Sequence, residues 1–221
     1  PVGVVLNATT QNVFEAVDAA RKGFKTWSRM SVEERAKRLE KAADLLDAKR
    51  DHFLALLSRE AGKTMDDGVS EIREAVDFCR FYAREAVKSF GEPIALPGPT
   101  GEDNRLVHRG RGVFVCISPW NFPLAIFAGQ VVAALAAGNA VLAKPAEQTP
   151  LVAHEMVKIL HEAGVPKDAL LFVPGDGRIG AALTSHPKID GVCFTGSTET
   201  AWAINRTLAA KSGPIVPLIA E

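Results

Sequence analysis

From Val113 onward, five short apolar runs alternate with helix-like segments, and this rhythm constrains the fold more than any other feature. The runs are 113–117, 140–144, 170–173, 191–194 and 215–219; between them lie helix-like stretches at 124–137, 150–163, 178–184 and 198–210. The runs are continuously apolar rather than alternating, as expected of strands covered on both faces. Strand–helix–strand repetition implies a parallel sheet with right-handed crossovers. Such sheets take ligands at the carboxyl ends of their strands. The punctuation agrees: Gly138-Asn139 ends one helix, Thr149-Pro150 opens the next with a cap and an N1 proline, and Gly164 closes it.

The part before this reads helical. Thr10 is placed to cap a helix with Val13, Val17, Ala20, Phe24 and Trp27 on one face. Ser31-Val-Glu-Glu34 has the capping-box pattern and opens one long helix through Leu39, Leu46 and Phe53 towards Gly62. A third helix is expected from about Asp66 to Phe90, with Val69, Ile72, Val76, Cys79 and Tyr82 inward. Pro93 to Gly101 breaks the helical pattern, and Glu102 to Arg109 suits an extended arm. The expected organisation is a helical part over 1–92, an extended arm or oligomerisation strand region over 93–112, and a parallel α/β part over 113–221.

Composition narrows the function classes. Lys+Arg and Asp+Glu both total 26, so a basic face for nucleic acid or an anionic membrane is not favoured. No apolar run approaches a membrane-spanning length. Pro1 stands where an initiator Met would, without a signal-peptide pattern, which reads as a processed chain or one cut from something longer. Cys79, Cys116 and Cys193 make an odd number without a C-x-x-C pair, and read as inert core thiols in a reducing, cytoplasmic compartment. The histidines lack ligand spacing, so no metal is expected.

The chemistry-bearing residues fall at strand ends. No G-x-G-x-x-G follows the first strand. Phe194-Thr-Gly-Ser-Thr198 follows a later strand and opens a helix. Its Gly196 permits close backbone approach to a phosphate, to which Ser197 and the helix-start amides can donate; an ordinary helix cap is the plainer reading. Gly175-Asp-Gly177 is a second flexible strand-to-helix turn. Lys144 and Glu147 flank Pro145 at a strand end. They suit ribose hydroxyls, and the carboxylate would repel a 2′-phosphate, favouring NAD over NADP; a surface ion pair is the alternative. Asn121 sits between Pro119 and Pro123, a rigid setting for an amide donor to an oxyanion or for a structural loop asparagine. Glu221, after an apolar strand, is a candidate general base.

In order and spacing, Ser118-Pro-Trp-Asn-Phe-Pro123, Lys144-Pro-Ala-Glu147, Phe194-Thr-Gly-Ser-Thr-Glu199 and Leu218-Ile-Ala-Glu221 resemble the aldehyde dehydrogenase superfamily, and Glu60-Ala-Gly-Lys63 also matches. The wording is most similar to the dehydrogenase domain of bacterial bifunctional proline-utilisation proteins. The resemblance implies a Rossmann-like NAD-binding domain, incomplete and without its substrate domain. The implied reaction is oxidation of glutamate γ-semialdehyde, the open form of 1-pyrroline-5-carboxylate, to glutamate. It implies that Asn121 holds the oxyanion and that Lys144 and Glu147 bind the adenosine ribose. Gly196 and Ser197 would lie by the pyrophosphate, Ile117, Ser118, Pro119 and Trp120 by the nicotinamide, with Gly177 on the cofactor side. Glu221 would activate the hydrolytic water. Ala201 stands where the family often has glycine, and the arm resembles part of its oligomerisation hairpin, which implies a homo-oligomer. The family's nucleophilic cysteine lies beyond the position of Glu221 and matches none of the three cysteines, so this stretch is expected to be inactive alone. Open alternatives are an aldehyde dehydrogenase of other specificity, a non-catalytic NAD-binding or structural relative, and an acyl-CoA-forming relative, against which Glu221 argues.

Overall fold

The computed structural model describes residues 2–221. Four helices come first: α1 (Thr10–Trp27), α2 (Val32–Ala48), α3 (Arg50–Ala61) and α4 (Met65–Phe90). A two-stranded antiparallel arm follows, β1 (Ile94–Leu96) against β2 (Asn104–Leu106). The remainder is β3 (Val113–Ile117), α5 (Ala125–Ala136), β4 (Ala140–Lys144), α6 (Pro150–Glu162), β5 (Leu170–Phe172), α7 (Gly177–Ser185), β6 (Gly191–Phe194), α8 (Thr198–Ala209) and β7 (Leu218–Ala220). Its five strands are all parallel, in the order β5-β4-β3-β6-β7.

Side-chain alternation along the strands sorts the molecule into two cores. Phe114, Cys116, Val141 and Ala143 point to one face, where α2, α4, α5 and α6 pack with them. Val113, Val115, Ala140, Leu142 and Phe194 point to the other, covered by α1, α7 and α8. Fully buried Trp27 ties the end of α1 to α5, its indole N–H donating to the Leu135 carbonyl at 2.9 Å.

Several local expectations shift. The cap of α1 is Thr9, one residue before Thr10, because Asn12 completes a reciprocal box with it. Ser31 caps α2 by accepting from the Glu34 amide, but Glu34 turns its carboxylate to Arg38 and Lys37, leaving the box one-sided. The long second helix is two: Lys49, at φ −99° and ψ 19°, separates α2 from α3. Val69 on α4 is exposed, and Gly68 and Glu71 take the buried positions beside Ile72. Thr149 precedes α6 without lending its side chain as a cap. The last strand is shorter than expected, 218–220, and largely exposed.

Candidate cofactor and catalytic site

The strand order reverses direction about β3, which lies between β4 and β6. A crevice forms at such a switch point, outside the carboxyl ends of the strands. Ile117 ends β3, in register with Lys144 at the end of β4 and with Phe194 at the end of β6. The three share parity and face the α7–α8 side. There they line a cavity of about 440 Å³, together with Ser118, Pro119, Trp120, Glu147, Gly177, Gly196 and Ser197. All nine residues expected on the cofactor side thus surround one cavity. Thr184, Thr200, Thr207, Gly180 and Ala181 complete its polar and small-residue wall, and nothing in their local sequence marks them out.

Lys144 is 4 % exposed, and its ammonium donates to the Pro145 carbonyl at 3.0 Å. Burial pulls its pKa below that of an ordinary lysine, against the opposing charges of Glu147 and Asp176. A buried ammonium with one recorded hydrogen bond out of three donors fits a ligand rich in hydroxyls. At the far wall Ser197 caps α8, its hydroxyl accepting from the Thr200 amide at 3.3 Å. The plain cap reading is therefore realised. It is compatible with a phosphate, because the Thr198 and Glu199 amides still point out of the first turn. A Cβ on Gly196 would come within 2.7 Å of the Phe194 ring, so the close backbone path there needs glycine.

Opposite parity leads to a different cavity. Cys193 lines a space of about 380 Å³ with Tyr82, Gln130, Thr195, Ile219 and Glu221. Phe194 and Thr195 border both cavities, and Gln130 donates its amide to the Thr195 hydroxyl at 2.9 Å. Gln130, a lone amide in the apolar run of α5, was the available sequence signal for this wall. Burial, then Cys193 and Glu221, raise the Tyr82 phenol pKa. Glu221 is exposed and tied by its backbone alone: its N–H donates to the Phe194 carbonyl at 3.0 Å, and its carbonyl accepts from the Gly196 N–H at 3.2 Å. Asn121 lines neither cavity. It sits exposed on the loop after β3, next to Trp120.

The helical layer contributes Glu71, which sequence reasoning passed over, and Glu60, which it quoted only within a family match and gave no role. Glu71 accepts from the amides of Leu124 and Ala125 at the start of α5, at 2.8 and 3.2 Å. Glu60 accepts from Leu151 and Val152 at the start of α6, at 2.7 and 2.8 Å. Desolvation raises the Glu60 carboxyl pKa, only partly offset by those two amides. Both act as N-caps supplied from another element, worth about 1 kcal/mol for an ordinary cap.

A parallel sheet covered by helices on both faces, with a cavity at its switch point, places the chain in the doubly wound α/β class. The aldehyde dehydrogenase family model matches residues 1–221, and the chain belongs to that family. It is 47% identical over 224 residues to the bifunctional protein PutA of Klebsiella aerogenes, covering 100% of this chain and 16% of that protein. It is 43% identical to 1-pyrroline-5-carboxylate dehydrogenase 2 of Halalkalibacterium halodurans, covering 90% and 38%. Among solved structures, Bradyrhizobium japonicum proline utilization A superposes with a TM-score of 0.96 at 65% identity, over 98% of this chain and 22% of that one. A 1-pyrroline-5-carboxylate dehydrogenase from Thermus, solved with bound NAD, gives 0.93 at 37%, over 97% and 42%. The chain therefore spans about a sixth of the length of the PutA proteins of Klebsiella aerogenes and Escherichia coli.

Proposed function

We propose that this chain supplies the cofactor-binding part of an NAD-dependent dehydrogenase that oxidises glutamate γ-semialdehyde to glutamate. The observation that carries this reading is the convergence of Lys144, Glu147, Gly177, Gly196 and Ser197 on the switch-point cavity. Lys144 and Glu147 hold the adenosine ribose hydroxyls from the end of β4. The amides at the start of α8 hold the pyrophosphate, and Ile117 to Trp120 flank the nicotinamide. NAD bound there would supply the hydride acceptor for oxidation at the aldehyde carbon. Glu147 disfavours a 2′-phosphate on the ribose by charge repulsion. Asn121 donates its amide N–H to the oxyanion of the tetrahedral adduct that the nucleophilic cysteine of the full-length protein would form. Glu221 takes a proton from the water that releases the acid.

The substrate assignment is supported by the names of the relatives. A homo-oligomer, joined through the β1–β2 arm, and a cytoplasmic setting belong to the same reading. Among the described residues no helix is long and apolar enough to cross a membrane. The test is steady-state oxidation of glutamate γ-semialdehyde by the full-length gene product with NAD or NADP. NAD-dependent turnover that Glu147→Gln shifts towards NADP is expected. No turnover with this aldehyde, beside turnover with another, would replace the substrate.

A further inference from the structure

The loop from Ser118 to Leu124 carries Asn121, and its two ends are held differently. At the start, the Ser118 amide donates to the Lys144 carbonyl at 3.2 Å, which fixes it to the sheet. At the far end Leu124, the residue before α5, lends no side-chain cap, and Pro123 has no N–H. The Leu124 and Ala125 amides are instead received by one oxygen of Glu71, whose carboxylate is fully buried. Its other oxygen accepts no well-aligned hydrogen bond and faces the Lys63 ammonium at 3.2 Å. That ammonium also lies 3.9 Å from the centre of the Phe122 ring, the residue next to Asn121. A negative charge favours a helix N-terminus, a buried carboxylate needs a cation, and a cation is attracted to an aromatic face. One ion pair satisfies all three.

We propose that Lys63 and Glu71 are positioning residues for Asn121: they clamp Phe122 and the start of α5, and so hold the amide where the oxyanion develops. This rests on the reading of Asn121 as the oxyanion donor. Misplacing a donor by about 1 Å can cost up to ~10²-fold in rate, so the clamp acts on kcat rather than on cofactor affinity. Glu60 serves as a control. It caps α6, beyond the Lys144–Glu147 segment, and touches nothing in the Asn121 loop.

The experiment uses the full-length gene product carrying Glu71→Gln, Lys63→Met, Asn121→Ala and the pairwise combinations. Activity and backbone hydrogen exchange are both read at 25 °C. Glu71→Gln and Lys63→Met are expected to lower kcat about 10-fold with KM for NAD within about twofold. Neither should lower kcat further in the Asn121→Ala background. Exchange at residues 120–126 should quicken while residues 150–153 stay protected. Unchanged exchange at 120–126, or equal losses of kcat with and without Asn121, would overturn the proposal. A fall in melting temperature with kcat intact would do the same, since it marks a purely structural pair. If either single variant does not fold, the Lys63→Met/Glu71→Gln pair decides, because it leaves no buried charge without a partner. An unmodified protein without aldehyde oxidation would fail the functional reading separately, and the exchange comparison would still judge the clamp.

Discussion

At Lys144 two opposing demands meet in a single side chain. Burial penalises its charge and lowers its pKa, yet the proposed ribose role needs the ammonium. Its folded-state value lies below the ordinary 10.5 of the unfolded chain. Between those two values the unfolded chain binds the proton more tightly, so this group's cost to stability is relieved as pH rises through that window. NAD affinity runs the other way: it should fall as pH climbs towards 10.5, sooner than for an exposed lysine. Lys144→Gln should bind NAD about 10- to 100-fold more weakly, the worth of a charge-assisted hydrogen bond, with a flat pH profile over that range. Calorimetric titration from pH 7 to 10 checks both, and a flat profile in the unmodified protein would remove the ammonium from the site. The cysteines give a second check. Cys79 is buried and its thiol pushed up to about 12. Cys116, buried with Cys193 beside it and its Sγ donating to the Gln130 carbonyl at 3.7 Å, is also raised, while Cys193, half-buried, is lowered by its neighbour Cys116. Limited alkylation at pH 8 followed by peptide mapping should therefore modify Cys193 first and Cys79 last. The sequence treats all three alike, because exposure at a cavity wall depends on which neighbours the fold brings.

Within the elements, apolar patterning made the α/β part legible almost to the residue. β3, β4 and β6 coincide with the expected runs, and α5 to α8 differ by single residues at their ends. What patterning does not encode is competition between neighbouring polar groups. Thr9 and Thr10 are equivalent as letters, and only the Asn12 carbonyl chooses between them. Lys49 carries no helix-breaking signal, and the break there lets Leu39 and Leu46 of α2 and Phe53 of α3 reach one core. A glycine inside α1 shows how far tertiary packing can override propensity. Alanine at an open helical position gains up to about 1 kcal/mol over glycine. At Gly23, however, a Cβ would stand 2.1 Å from the Asp168 carbonyl oxygen and 2.6 Å from the Ala169 amide nitrogen. These are backbone atoms just before β5, with no flexible side chain to yield. Overpacking of this kind costs about 1–3 kcal/mol. Gly23→Ala should therefore lower the melting temperature despite its better propensity, whereas Gly177→Ala, whose Cβ would meet nothing within 4 Å, should leave it nearly unchanged. Differential scanning calorimetry of the two variants separates packing from propensity, and equal melting temperatures would mean α1 does not press on that loop.

Taken as one body, the molecule has two cores on opposite faces of a single sheet, with the cofactor cavity on one side of the seam. The nine residues around this cavity were expected together, Lys144, Glu147, Gly177, Gly196 and Ser197 from strand-end chemistry and Ile117 to Trp120 from the family resemblance. The supports under them were not: Glu60, Lys63 and Glu71 lie 53 to 92 positions from the amides and loops they hold, and nothing local to them announces a helix start elsewhere. Glu71 had the one visible oddity, an acid among the buried positions of α4. This arrangement makes ligand binding a whole-molecule event. A dinucleotide reaching from Lys144 and Glu147 to Gly196 and Ser197 would tie the end of β4 to the start of α8. Binding to the folded state alone adds about 2.7 kcal/mol at 100 times Kd. In a domain of this size each kcal/mol is worth about 2–4 °C, so saturating NAD should raise the melting temperature of the 221-residue chain by about 5–10 °C. NADP should give a smaller rise because of Glu147, and Glu147→Gln should narrow the difference. Gly196→Val, which drives a side chain into Phe194, should abolish the NAD effect. Thermal shift with both cofactors on the three proteins is the measurement. Equal shifts for NAD and NADP in the unmodified chain would show that Glu147 does not face the ribose, and a full NAD shift in Gly196→Val would move the pyrophosphate away from α8.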